Sequence, residues 1–125
     1  MPRESTLDVP SLFCDIRLMR WTVETLNAAV DAEIAALPAD MQARYLRFVD
    51  VIQQAGFEGL PRESVKHLEG KLWELRMTGR DGISRAIYVT ATRRRVVVVR
   101  VFIKKTQQTP ERELRLARER AKGVI

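Results

Sequence analysis

The sequence is short of the residues on which many catalytic centres and membrane segments depend. It has one cysteine, Cys14, and one histidine, His67, among 125 residues. A single cysteine excludes an internal disulfide and a cysteine-based metal site. No hydrophobic run approaches the roughly 20 residues needed to cross a bilayer. We therefore expect a protein of the reduced cytoplasm with no metal, no cofactor and no membrane segment.

Common catalytic signatures are also missing. The chain has no glycine-rich phosphate loop, no Gly-x-Ser-x-Gly, and no cluster of histidine, cysteine and carboxylate residues at metal-ligand spacing. His67, in VKHLEG, is interpreted as a surface or packing residue, and Cys14 as incidental. The sequence thus does not predict a histidine-driven or metal-dependent enzyme.

Positive charge is concentrated in one part of the chain. The net charge is +6, and the segment from Leu60 to Lys105 has 12 Lys and Arg against 4 Asp and Glu. The rest of the chain has 10 against 12. Such a concentration is typical of a surface that meets phosphates or an acidic protein. A small domain of this charge can also simply be well solvated, so charge alone leaves both interpretations open.

The first part of the sequence predicts a strand and a helical hairpin. MRWTVETLN alternates as a short strand, with Trp21 and Val23 on one side. AAVDAEIAALP predicts a helix that ends at Pro38, and Asp40 is expected to cap a longer helix, MQARYLRFVDVIQQAG, that stops at Gly56. The apolar face of the longer helix consists of Met41, Tyr45, Phe48, Ile52 and Ala55. Such a hairpin is expected to cover a sheet.

The second part predicts an antiparallel sheet. FEGLPRESVKHLEG is interpreted as a connection, followed by the strands KLWELRM, ISRAIYVTA and VVVVRVFI, whose turns are too short for a parallel crossover. The valine run is hydrophobic at both parities, so we expect it to be the central strand, covered on both faces. Thr109 as N-cap and Pro110 as first helical residue predict a final helix to about Lys122. The predicted fold class is α+β.

The domain is predicted to begin at Met19. Residues 1–18 contain two prolines and no clear periodicity, and we expect them to form a flexible extension. The extension is either an accessory segment or the result of an upstream start codon. Residues 19–125 are then a single domain of ordinary size.

Strand parity separates KLWELRM into two faces. We expect the aromatic and aliphatic set under the helices, with Arg76 beside Glu74 on the open face. The two sets are Trp73, Leu75 and Met77, and Leu72, Glu74 and Arg76. Strand arginines are commonly just solvated, but several on neighbouring strands would attract RNA phosphates. Their guanidinium groups could also stabilise a pentacoordinate phosphorane.

Three segments together carry a resemblance to a known family. KHLEGKLWELRM, SRAIYV and VFIKKTQQTPERELRLA resemble the phage-derived HigB-type branch of the RelE/ParE toxin superfamily, and the similarity runs from about Met19 to Ala121. The resemblance implies a helical hairpin on an antiparallel sheet with a C-terminal helix. It also implies the toxin of a type II toxin–antitoxin system that cleaves messenger RNA on the ribosome without a metal.

The resemblance also implies roles for individual residues. The catalytic residues would be Arg76, Arg85 and Lys105. Glu74 departs from the pattern of the RelE branch, which has lysine there; it could act as a base, but strand pairing favours a salt bridge to a neighbouring strand's arginine. The residues expected to bind RNA are Lys71, Arg80, Arg93, Arg94, Arg95, Arg100 and Lys104. Alternation puts Lys104 and Lys105 on opposite faces of their strand, so that at most one of them faces a given cleft.

The resemblance further implies two partners, and it leaves alternatives open. The partners would be messenger RNA on the ribosome and a cognate antitoxin, expected to be a small helix-turn-helix protein. One alternative keeps the fold but poisons DNA gyrase, as ParE-like relatives do, because one scaffold can serve different activities. The other is a domesticated, non-catalytic binding module.

Overall fold

A computed structural model describes residues 20–80, 82–104 and 109–124 of the chain. These residues form an α+β fold, as predicted. Its elements are β1 (Thr22–Thr25), α1 (Ala28–Ala35), α2 (Ala39–Ala55), β2 (Val65–Glu69), β3 (Leu72–Gly79), β4 (Gly82–Ala91), β5 (Arg95–Lys104) and α3 (Glu111–Ala121), with single 3-10 turns at Phe57–Gly59 and Arg62–Ser64.

One five-stranded sheet organises the fold, in the order β1-β5-β4-β3-β2. The pairs β3–β4 and β4–β5 are antiparallel, which confirms the predicted three-stranded meander, and β2 extends it by pairing antiparallel with β3. β1 pairs in parallel with β5, so the sheet is mixed. The prediction that VKHLEG belongs to a connection is wrong, because Val65–Glu69 is an edge strand. The segment lacks the hydrophobic run of an interior strand, because an edge strand can carry exposed polar side chains such as Lys66 and His67.

The valine strand β5 is covered on both faces, as predicted. Val96, Val98 and Val101 pack into the core beneath α1 and α2, whereas Val97 and Val99 pack into a second core on the opposite face. β5 lies between β1 and β4, so it is an interior strand, although β4 is the middle one of the five. Its hydrophobicity at both parities reflects this burial from two sides.

The helix α2 buries the face that its spacing predicts. Four of the five residues of this face are buried: Met41, Tyr45, Phe48 and Ile52. The fifth, Ala55, is the last helical residue and is exposed. The start of the helix differs from the prediction, since Pro38 occupies the N-cap position.

Asp40 instead links the first turn of α2 to the β3–β4 turn. Its carboxylate accepts hydrogen bonds from the backbone N–H groups of Met41, at 3.0 Å, and Arg80, at 2.8 Å. The bond from Arg80 is the main reason that the pKa of Asp40 lies below its usual value of 3.8.

The helix α3 covers the second face of the sheet, which the sequence predicted to be open. Leu114, Ala117 and Ala121 pack against this face, because the apolar residues of α3 repeat at helical spacing. The helix ends within one residue of the predicted position, at Ala121. The N-cap prediction is wrong, since Pro110 is the N-cap and makes no side-chain cap hydrogen bond.

Two predictions fall outside the described residues: the extension of residues 1–18 with Cys14, and the role of Lys105. Within the described ranges, no helix is both long enough and apolar enough to span a membrane.

Candidate functional site

Arg76 and Arg85 lie directly opposite each other on β3 and β4. Glu74 is two residues before Arg76 on β3, and the two-residue period of a strand places both side chains on the same face of the sheet. Phe102 of β5 is the cross-strand partner of Arg85. The neighbouring strands β3 and β4 therefore bring the two predicted arginines and Glu74 together, with Phe102 of β5 beside them.

Glu74 is the centre of this group. Its Oε1 accepts hydrogen bonds from Arg76 Nε, at 3.1 Å, and from Arg85 Nη1, at 3.5 Å. Its Oε2 accepts a hydrogen bond from the Thr109 hydroxyl at 2.5 Å. We call these four residues the Glu74 cluster. The predicted salt bridge between Glu74 and an arginine of a neighbouring strand is confirmed.

Exposure separates the two arginines of the Glu74 cluster. Both Arg85 and Glu74 are fully buried, whereas the Arg76 side chain is 22% exposed. A buried ion pair is tolerated when each charge is held by hydrogen bonds, and Arg85 meets both Glu74 and Thr109. Arg76 is therefore the member through which the cluster can meet a ligand, and Arg85 holds the buried carboxylate.

Lys104 lies on the same face of the sheet as the cluster. It is the cross-strand partner of Ile83, two residues beyond the Arg85–Phe102 pair, and is half-buried. Arg80 is exposed in the β3–β4 turn at the same end of the sheet. Lys104 and Arg80 therefore add positive charge at the end of the sheet that carries the β3–β4 turn.

Arg100, predicted to bind RNA, is engaged within the protein. It forms salt bridges with Glu33 of α1, at 2.8 Å, and with Glu113 of α3, at 2.7 Å. The hydrogen bond that Arg100 donates to Glu113 is the largest factor that raises the pKa of Arg100. Arg120 contacts Glu33 at 2.9 Å and completes this edge cluster of two arginines and two glutamates. Its charges balance, so Arg100 adds little to an anion-binding surface.

The remaining predicted RNA-binding residues lie at the opposite end of the sheet. Lys71 precedes β3, and Arg93, Arg94 and Arg95 surround the β4–β5 turn. Arg95 is paired with Glu24 at 3.0 Å, and the hydrogen bond that it donates to Glu24 is the main reason that the pKa of Arg95 is raised. The predicted basic surface is thus divided between two ends of the molecule.

The contacts that Thr109 and Trp21 make with charged side chains were not predicted from the sequence. Thr109 was predicted as a helix cap, and its hydroxyl instead bonds Glu74. Trp21 was placed on a strand, and the guanidinium of Arg94 lies 5.4 Å above its ring. Either contact joins residues distant in sequence, so no local pattern could indicate it. Among the residues that the structure describes, none form a group of three or more histidines, cysteines and carboxylates suited to a metal.

Comparison with known proteins places the chain among phage-derived sequences. Residues 32–122 match the family described as "Phage derived protein Gp49-like". No curated protein matches the sequence. The crystal structure of the archaeal RelE–RelB complex from Pyrococcus horikoshii OT3 contains a similar chain, 23% identical, with a TM-score of 0.47 and coverage of 68% of this chain and 96% of that one. The family match includes α2, β2 to β5 and α3, and it covers all four residues of the Glu74 cluster.

Proposed function

The chain belongs to the phage-derived Gp49-like family, and on that premise we propose that it is the toxin of a type II toxin–antitoxin pair. We further propose that it cleaves messenger RNA on the ribosome, in the cytoplasm. The observation that supports this proposal best is the partly exposed Arg76, held by the buried carboxylate of Glu74 beside Arg85. A guanidinium fixed in this way is suited to a phosphodiester, because it offers oriented donors to phosphate oxygens.

The proposed reaction is internal transesterification of RNA. The 2′-hydroxyl loses its proton and attacks the adjacent phosphorus, the bond to the 5′-oxygen breaks, and that oxygen takes up a proton. The products are a 2′,3′-cyclic phosphate and a 5′-hydroxyl. The phosphorane between them carries more negative charge on its oxygens than the substrate, so Arg76 would stabilise it more strongly. Lys104 would add positive charge beside the substrate, and we retain Lys105 as a proposed catalytic residue.

Glu74 and Arg85 act as positioning residues in this proposal. Both Glu74 oxygens accept hydrogen bonds within the protein, and neither Glu74 nor Arg85 reaches the surface. A buried carboxylate so engaged is poorly placed to take a proton from the 2′-hydroxyl. Their effect is to fix the Arg76 guanidinium relative to β3, and they would act on RNA through it.

The partners in this proposal are a translating ribosome with its messenger RNA and a cognate antitoxin, which we expect to be a small helix-turn-helix protein. The positive charge of +6 supports a surface that meets either ribosomal RNA or an acidic antitoxin segment. A co-expressed antitoxin should abolish growth arrest without altering the amount of toxin produced.

The test is growth arrest upon induction, followed by mapping of RNA ends. Arg76→Ala should lower toxicity and RNA cleavage by about 100-fold, the usual effect of removing one transition-state donor. Arg44→Ala is the matched control, because Arg44 is an exposed arginine of α2 away from the Glu74 cluster. Equal amounts of folded protein must be shown by circular dichroism and immunoblotting. RNA cleavage by Arg76→Ala at the wild-type rate would exclude the proposed site, and arrest with gyrase-linked DNA breaks but intact messenger RNA would favour a ParE-like target.

A further inference from the structure

We propose that the β4–β5 end of the sheet carries a second RNA contact, in which one base of a single strand enters a pocket beside Trp21 and the neighbouring phosphate meets Arg93 and Arg94. The inference rests on the proposed function, since it names a contact for the same substrate class. It concerns a different part of the molecule from the Glu74 cluster. Three observations carry it: the conformation of the turn, the chemistry of the pocket, and the charge around it.

The β4–β5 turn has an unfavourable sequence for its backbone. Arg93 and Arg94 both have left-handed backbone conformations, with φ of 63° and 56°. The left-handed region favours glycine and asparagine, because a larger side chain is strained there. Two consecutive arginines therefore destabilise the hairpin relative to Asn-Gly. Strain of this kind is found where side chains serve a binding role.

The pocket beside this turn has a volume of about 610 Å³, which suits a nucleotide-sized ligand. Trp21 and Phe57 form its aromatic part, with their rings 5.3 Å apart and nearly perpendicular. Both rings are only half-buried. Arg94 lies over the Trp21 ring, which adds a flat guanidinium to the stacking surface. Aromatic rings and arginine planes are the surfaces on which proteins stack unpaired bases.

Polar groups complete the Trp21 pocket. Gln53 lines it and accepts a hydrogen bond from the Val23 backbone N–H at 3.1 Å, which holds the amide in place. Carboxamides bind the edges of bases with directional hydrogen bonds. Arg20 and Arg94 also line the pocket against one acidic residue, Glu58. The lining thus combines stacking, base-edge hydrogen bonds and positive charge, which together favour a nucleotide within a polyanion over an apolar ligand.

Charge near the turn is available to a phosphate. Arg95 forms an ion pair with Glu24, so its charge is largely compensated within the protein. Arg93 and Arg94 are exposed at the tip of the turn. The seven residues of β4 from Arg85 to Ala91, which are six steps along the strand, span about 20 Å at the usual strand rise. The Trp21 pocket and the Glu74 cluster are therefore separate contacts, and an RNA strand that used both would pass around the end of the sheet.

The central experiment replaces Arg93-Arg94 by Asn-Gly, which separates a structural role of the turn from a binding role. Asn-Gly should raise the thermal midpoint, because it relieves the left-handed arginines, and should weaken binding to a single-stranded oligoribonucleotide about tenfold at low salt. The slope of log affinity against log salt should fall by roughly 0.7 for each lost phosphate contact. Arg44→Gln/Arg47→Gln removes the same charge from exposed positions of α2 and serves as the control.

A second readout uses the fluorescence of Trp21. The chain has two tryptophans, so Trp73→Phe leaves Trp21 as the only one. The oligoribonucleotide should quench this signal through base stacking, and an abasic oligomer of equal charge should not. A matching oligodeoxyribonucleotide tests whether the contact requires the 2′-hydroxyl. Trp21→Leu should weaken binding without changing the salt slope, because it removes stacking and keeps the charge.

The possible outcomes distinguish this inference from the proposed function. Wild-type affinity in the Asn-Gly variant, or no response of Trp21 to bound RNA, would overturn the second contact even if Arg76→Ala abolished cleavage. Loss of affinity equal to that of the Arg44/Arg47 control would also overturn it. If the wild-type chain bound neither RNA nor DNA, the second contact would be rejected, whereas cleavage on the ribosome is tested separately by Arg76→Ala.

Discussion

Thr109 donates its hydroxyl hydrogen to Oε2 of Glu74 across 2.5 Å, so the residue at the approach to α3 is bonded to a buried carboxylate of β3. The two residues are 35 positions apart in the sequence. Because Arg85 Nη1 also lies 3.4 Å from the same hydroxyl, Thr109 contacts both charges of the buried pair. The start of the C-terminal helix is therefore attached to the centre of the candidate site.

Replacing Thr109 by valine should destabilise the protein by about 1–3 kcal/mol, because a buried carboxylate oxygen loses its donor while the side-chain volume is kept. Thr109→Ser keeps the hydroxyl and should be close to wild type. Urea unfolding measures both. Native Thr109→Val should keep the helical signal of the wild type. The N-cap of α3 is Pro110, which makes no side-chain cap hydrogen bond, so the substitution removes no cap from the helix. A helical signal that falls in proportion to stability would instead support the capping role predicted from the sequence.

The buried pair of Glu74 and Arg85 should behave asymmetrically on mutation. Glu74→Gln leaves the Arg85 guanidinium buried without a counter-charge and should cost about 3–5 kcal/mol, whereas Glu74→Met/Arg85→Met removes both charges and should recover most of that loss. A double-mutant cycle by urea unfolding gives the coupling energy. The double variant should remain folded and yet non-toxic, because Arg76 loses the carboxylate that holds it. A toxic double variant would show that Arg76 does not require this positioning.

The outcome for Glu74 shows what strand parity can predict. The two-residue period placed Glu74 and Arg76 on one face, and the short β3–β4 turn put Arg85 on the neighbouring strand. Those two local rules were enough to predict the salt bridge. They did not reveal that this face is covered, because its cover comes from α3, whose docking depends on the long-range packing of residues such as Ala117.

Which of the basic residues are accessible could not be predicted from the sequence. A count of charges cannot tell a compensated arginine from an accessible one. Arg100 is neutralised by Glu33 and Glu113, which lie 67 and 13 positions away, and their arrangement depends on where α1 and α3 cross β5. The edge strand β2 was missed for a related reason, since a strand with one neighbour and exposed side chains carries no hydrophobic alternation.

Glu33 protects the part of β5 that extends beyond β1. β1 pairs with β5 only from Arg95 to Val98. Further along, the Val101 backbone N–H donates to Glu33 at 3.0 Å, and the Val99 carbonyl accepts a hydrogen bond from Arg120 at 2.8 Å. Side chains thus satisfy backbone groups that an open strand edge would offer to another chain.

Glu33→Ala should therefore destabilise the protein by about 1–3 kcal/mol and promote self-association, since it leaves a ladder N–H without its acceptor and removes one of the acceptors of Arg100 and of Arg120. Amide hydrogen exchange at Val101 and sedimentation at increasing concentration are the measurements. Glu119→Ala is the control, because Glu119 is an exposed glutamate of α3. Unchanged exchange at Val101 would show that this hydrogen bond does not protect the edge.

Tyr45 should make stability fall at high pH. Burial in the core beneath α2, with a smaller contribution from Asp31, raises the pKa of Tyr45 from 10.0 to about 12. The folded protein therefore keeps the phenol proton at a pH where the unfolded chain has lost it, so stability is complete below pH 10 and declines as pH rises towards 12. A shift of this size corresponds to about 2–3 kcal/mol. Burial also raises the pKa of Tyr88, which contributes in the same direction.

Tyr45→Phe removes the ionisable group, so the stability of the variant should decline less steeply with pH. The variant should become more stable relative to the wild type between pH 10 and 12, while the two differ little in stability at pH 7. Urea midpoints measured at intervals of half a pH unit provide the comparison. Tyr88→Phe is the matched variant, because Tyr88 lies in the same core and carries a shift of the same sign. A constant difference between Tyr45→Phe and wild type at every pH would mean that the Tyr45 hydroxyl ionises equally readily in the folded and unfolded chains.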